Sequence, residues 1–228
     1  MRLLRVEGPP TPDESGLPAG AFSDWVSAFR AALCESKDSS VPCGECTACC
    51  TSSQFVHIGP DELDTLAHVP SQLLFPAPLR PRGHVVMGYD ERGHCPMLVD
   101  NACSIYQHRP RTCRVYDCRV FPATGISLDE DSKSAIESQA RRWRFDFPTE
   151  KDHVQRKAVR AATQYLASEP NLLREVGVPA NPTQLAALAV EIADTFLPGA
   201  GTDDDAAAQA VRRAVGRAPA DSSARRRP

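Results

Sequence analysis

The sequence predicts an α+β protein: a small, metal-stapled, cysteine-rich domain with a short β-hairpin, flanked by α-helices and followed by a helical C-terminal part. Three observations predict it. Eight of the nine cysteines fall in two dense groups, Cys43, Cys46, Cys49 and Cys50 in the first and Cys95, Cys103, Cys113 and Cys118 in the second. Apolar residues recur at helical spacing before the first group and after the second, and short alternating apolar runs bounded by Gly and Pro lie between them.

Taken in order, residues 1–20 form a disordered leader, because the Pro and Gly residues of 7–20 interrupt both helix and strand. A cysteine-cluster domain with a helical end spans 21–197, and a weak helix and disordered tail make up 198–228. The first helix puts Phe22, Trp25, Val26, Phe29 and Leu33 on one apolar face. A polar loop, 36–40, delivers the chain to Cys43. Phe55-Val56-His57-Ile58 alternates like a strand, and Gly59-Pro60-Asp61-Glu62 opens a helix running to about Ala67. The proline-broken stretch 73–81 reads as a loop. Residues 84–89 and 93–98 flank Asp90-Glu91-Arg92 as a β-hairpin whose second strand presents Cys95, with Pro96 marking an edge. Asp100-Asn101 turns the chain to Cys103, and Pro110 starts a short helix or turn carrying Cys113. Helices follow at about 129–142, 150–168, 182–197 and 203–217. Leu185, Leu188, Ala189, Ile192 and Phe196 form the apolar stripe of the third.

With 228 residues and 42% hydrophobic content the chain can bury a core, and its net charge of -3 gives no strong nucleic-acid signal. The N-terminal Met1-Arg2-Leu3-Leu4-Arg5-Val6 is too short an apolar run for a secretory signal. The most apolar stretch, 183–197, carries Glu191 and Asp194 and falls short of the ~20 residues that cross a bilayer. A cytoplasmic location without membrane attachment is therefore expected. There thiols stay reduced, which makes dense cysteines metal ligands rather than disulfide partners.

Thiolates separated by two residues can close on one ion, and that gap occurs twice, Cys43 to Cys46 and Cys46 to Cys49. Eight sulfurs match two four-thiolate sites or one multinuclear cluster. In extended chain Cys49 and Cys50 point to opposite sides, so the doublet is expected to serve two neighbouring centres. Zinc is the favoured metal, with iron or an iron-sulfur cluster as the alternative for the same soft ligands. Arg109, Arg111, Arg114 and Arg119 crowd the second group, where guanidinium groups would offset thiolate charge. His94 and His108 lie beside cysteines and are expected to face solvent or support the ligands. Cys34 stands outside the pattern.

The arrangement CxxCxxCC, joined to Cys95-Pro96-Met97-Leu98 and to Cys103-Ser104-Ile105-Tyr106-Gln107-His108-Arg109-Pro110-Arg111-Thr112-Cys113-Arg114, resembles the YkgJ family of zinc- or iron-chelating cysteine-cluster proteins over roughly residues 43–121. The resemblance implies metal binding by the eight cysteines and adds weight to Tyr106, Arg109 and Arg114, which match the family motif. Its better-described relatives are the longer flagellin N-methylases. They raise, as an alternative, an S-adenosylmethionine-dependent protein lysine methyltransferase-like enzyme. No glycine-rich nucleotide turn supports it, since Gly199-Ala200-Gly201 joins two helical segments. A thiol redox sensor is a further alternative. The preferred reading is a structural, interaction or metal-handling module with a protein partner.

Overall fold

The computed structural model describes residues 16–35, 38–39, 41–42, 44–78, 80–128, 131–178, 181–200 and 204–216. In chain order these form β1 Leu17–Ala21, α1 Phe22–Glu35, β2 Val56–Ile58, α2 Leu63–His68, β3 Leu74–Pro76 and β4 Val85–Met87. There follow β5 Leu98–Val99, β6 Ala102–Cys103, α3 Arg111–Val115, α4 Val120–Thr124, α5 Ser134–Ala140 and β7 Trp143–Asp146. Four helices complete them: α6 Glu150–Ser168, α7 Pro170–Glu175, α8 Pro182–Ile192 and α9 Asp204–Gly216. Mixed helix and short antiparallel pairings make this the expected α+β class. Among the described residues no helix is long and apolar enough to cross a membrane.

The chain divides into two bodies. The cysteine-bearing body holds residues 27–118 and 128–142. Its sheet has the order β2-β4-β3, antiparallel throughout, with Val56 and Leu74 both opposite Met87. Val56, Ile58, Val69, Met87 and Ile105 are buried together, and Cys95, Cys103 and Cys113 pack against them. The apolar alternation of β2 thus puts the thiols beside a hydrophobic floor.

Several expectations change here. The hairpin across Asp90-Glu91-Arg92 does not form, because β4 pairs with β2 and β3 instead. The turn at Asp90 closes, its N–H donating to the His94 carbonyl at 2.8 Å, but no ladder extends from it: the Gly93 carbonyl accepts from Ser53 N–H at 2.8 Å, and Cys95 N–H donates to the Cys50 carbonyl at 2.7 Å. Pro96 has no N–H to extend a ladder. The short hairpin lies at β5–β6, where Asp100 and Asn101 both take positive φ, +49° and +59°, the conformation a two-residue hairpin turn requires. The stretch expected as a loop contains β3. Helix α2 begins after Glu62, whose Oε1 accepts from Gly59 N–H at 2.8 Å and keeps Gly59–Glu62 as a turn.

The helical body holds residues up to Val26 together with 119–127 and everything from Trp143 onward. Here β1 pairs in parallel with β7, so the leader's last residues are a strand and not disordered. The rest of that leader, residues 1–15, lies outside the described residues, as do 217–228 of the tail. Phe22 begins α1 within an aromatic group, its ring 5.0 Å from Phe145 and 5.6 Å from Phe147. Helix α6 buries Ala158, Val159, Ala162 and Leu166, and α8 buries Leu185, Leu188, Ala189 and Ile192 of the expected stripe. These two helices pack together, and α8 also meets α4 and α9. Burying each large aliphatic side chain contributes about 1.5–3 kcal/mol. Of the face expected on α1, Leu33 is exposed while Ala32 is buried.

One polar group ties this body together. Asp152 is buried, accepts from Ser23 N–H at 2.8 Å and closes a capping box with Thr149 at the start of α6. The Thr149 bond and the Ser23 bonds hold its carboxyl well below the usual carboxylate range. A depressed folded value means that the stabilisation is present above the unfolded carboxylate pKa of about 3.9 and is lost as pH falls through the folded value. The Asp152→Asn variant should therefore melt below the wild type at pH 7. The gap should narrow as thermal melts are repeated at progressively lower pH below 4. A gap independent of pH would show that the charge is not what matters.

Candidate metal centre

The first cysteine group is shaped by a 3-10 turn, Ala48–Thr51. Cys50 N–H donates to the Thr47 carbonyl at 2.8 Å, and the buried Ser52 hydroxyl donates to the Ala48 carbonyl at 2.7 Å. Lys133 Nζ then donates to the carbonyls of Ser52 and Ser53, at 2.7 and 2.9 Å, and pins the end of the loop. Gly93 lies against Ser53 with φ +81°, and a Cβ there would run into the Ser53 side chain. That close approach brings Cys95 beside Cys50.

The second group arrives on separate supports. Leu98 pairs with Cys103 across the β5–β6 hairpin. Cys113 sits on α3, where Thr112 Oγ1 donates to the His57 carbonyl of β2 at 2.8 Å and Glu62 Oε2 accepts from Arg111 N–H at 2.5 Å. Cys46, Cys49, Cys50, Cys95, Cys103, Cys113 and Cys118 all line one cavity of about 740 Å³. Cys43 lies outside the described residues. Cys34 is exposed and does not line the cavity.

The doublet does not behave as extended chain. Because Cys49 and Cys50 share a 3-10 turn, both line the same cavity. The neighbouring Cys50 thiol, with backbone bonds and the Arg109 charge, holds Cys49 down to about 7. Cys50 is pushed up by its interaction with Cys49, by burial and by the charges of its neighbours. Burial pushes Cys113 up to about 12, assisted by Cys49, Cys95 and Cys103, and burial likewise raises Cys95. Thiols that raise one another in this way are a donor set short of a cation, which is the fit expected of a soft-metal site.

The four arginines separate. Arg109 lies along the cavity with its guanidinium carbon 3.6 Å from the centroid of the Tyr106 ring, and its buried Nε has no hydrogen-bond partner among the described residues. Arg114 also lines the cavity but acts as a brace, donating to the Arg109 carbonyl at 2.7 Å and to Asp38 at 3.0 Å. Arg111 pairs with Asp61 at 2.8 Å, away from the cysteines. Arg119 belongs to the helical body, where it donates to the Ala19 carbonyl at 3.3 Å and faces Trp143. Neither His94 nor His108 lines the cavity. Sequence reasoning missed Tyr116. Its hydroxyl is buried at the cavity without a hydrogen-bond partner among the described residues, and burial raises its pKa well above the usual value. Its position two residues before Cys118 was the one available signal.

Residues 42–139 match the CxxCxxCC family. Its model is described as a "Putative zinc- or iron-chelating domain". The matched segment contains all eight cysteines of the two groups. No curated protein and no solved structure matches the chain.

Because Cys50, Cys95 and Cys113 keep their protons at neutral pH without a cation, metal uptake must displace them. Zinc binding to metal-free protein at pH 7 should release protons, seen as a binding enthalpy that varies with buffer ionisation enthalpy. Apparent affinity should rise with pH. Uptake without proton release would mean that the thiols are not the ligands.

Proposed function

We propose that the chain is a metal-handling module whose eight clustered cysteines hold zinc, or iron in its place. The observation that carries this reading is the convergence of seven thiols, from loop, hairpin and helix, on one cavity. Cys43 is taken as the eighth ligand on its motif position. The placement of Cys49 and Cys50 in one turn along the same cavity favours ions that share the doublet over two separate four-thiolate centres. Arg109 and Tyr116 would direct N–H and O–H groups at the thiolates and offset their charge.

A purely structural zinc site is closed by its four ligands. Here the thiols line a space much larger than the ions need, and Cys49 is exposed. That supports handling of metal, with a protein partner, over simple stapling. The proposed setting is the cytoplasm, where the thiols remain reduced.

Protein purified without oxygen should carry zinc or iron by elemental analysis. Changing Cys34 to Ser should leave that content unchanged, whereas Cys46→Ser and Cys113→Ser should reduce it. Trace metal in the wild type, or equal loss in the Cys34 variant, would sink the reading.

A further inference from the structure

A second set of donors lies outside the thiol-lined cavity. Asp64 stands in the first turn of α2 and His68 one turn later, so both project from one face of that helix. His108 ends the short 3-10 helix Tyr106–His108, which packs on α2. His108 Nδ1 lies 2.8 Å from Asp64 Oδ2, and His68 Nδ1 lies 3.6 Å from Asp64 Oδ1. One ligand atom from each of the three residues falls within 4.8 Å of the others. The two imidazole rings stack at 3.5 Å with their planes 4° apart.

We propose that Asp64, His68 and His108 form a second metal site, for a borderline divalent transition ion such as zinc. An isolated exposed His–Asp pair contributes little and is common. This cluster differs in that two stacked imidazoles from different elements sit beside one carboxylate. His108 Nδ1 is on Asp64 Oδ2, whereas His68 Nδ1 lies 2.8 Å from the Asp64 backbone carbonyl, a contact it must leave unless it ligates through Nε2. Two nitrogens and one oxygen suit zinc and its neighbours, whereas calcium and magnesium prefer oxygen alone. Parallel rings cannot both hold an ion in their planes, so they must fan apart. Side-chain exposures of 41% for His68 and 37% for His108 leave room for that rotation. Three protein ligands leave a coordination position to water, and the exposed setting makes the ion quick to exchange.

The test uses the full-length chain with its thiol-bound metal in place, dialysed free of excess and titrated calorimetrically with zinc. One further ion per chain is expected. Loss of partners that merely orient a ligand costs about 10–100-fold in affinity, so His108→Ala and Asp64→Asn should weaken the further ion by about ten-fold or more. The thiol-bound content should stay unchanged. Where His108→Ala disturbs that content, His68→Gln carries the same test from α2. Cobalt provides the second readout: the further ion should add weak visible bands without thiolate charge-transfer absorption. No further ion, equal affinity in the variants, or a thiolate band from the further ion would overturn the proposal. Failure of the thiol centre would appear separately, as absent metal before the titration begins.

Discussion

Crowding thiols beside a hydrophobic floor is the constraint on which the cysteine-bearing body turns. Burial makes each thiol harder to ionise, and each neighbouring thiolate adds to the cost, which is why Cys113 is pushed up to about 12 and Cys95 rises with it. A divalent cation among them would add an attraction to every thiolate that outweighs this cost. The secondary structure around the thiols gives little independent stability, since its strands are two or three residues long and α3 has a single turn and a half. Such pieces are marginal alone, so ligand bonds would supply a large part of the ordering free energy.

Positive charge near the cavity is placed selectively. Arg109 presents a buried, unpartnered Nε–H, and its face rests on the partly exposed Tyr106 ring, which fixes the guanidinium plane at little cost in side-chain entropy. Arg114 holds the Arg109 carbonyl, so one arginine positions the backbone that carries another. A lysine at position 114 could not span Asp38 and that carbonyl from a planar fork. Arg111 spends its charge on Asp61 and leaves the thiols alone. The motif therefore encodes a division of labour that a count of arginines conceals.

The long helices were legible because their periodicity is repeated over several turns. The expected 150–168 agrees with α6 at both ends, where Thr149 caps the start. Of the short strands, β2 and β4 fall within the expected runs 55–58 and 84–89, whereas β3 and β7 were not legible: β3 ends on Pro76 in a proline-broken stretch, and β7 needs β1, which lies more than a hundred residues earlier. The misplaced hairpin has the same origin, for local alternation cannot show that the Gly93 carbonyl and the Cys95 N–H are taken by the Cys50–Ser53 loop. The seven described motif cysteines do come together along one cavity. The geometry of the doublet was lost because the 3-10 turn depends on Ser52 and Lys133, the latter far away in sequence.

Donor chemistry and exposure separate the two clusters of this body. Thiolates around a partly enclosed cavity favour soft ions and release them slowly, since several bonds must break under a surface that limits access. Asp64, His68 and His108 offer harder, fewer and more exposed donors, which favour rapid exchange at lower affinity. His108 follows directly on Tyr106 and Gln107 in one 3-10 helix, and Arg109 comes next. An ion drawn onto His108 would therefore pull on the same short segment that sets the Arg109 guanidinium over Tyr106 at the cavity wall. If both sets of donors hold ions, the one turn of backbone from His108 to Arg109 is the link through which occupancy of the outer set would bias the electrostatics of the inner one.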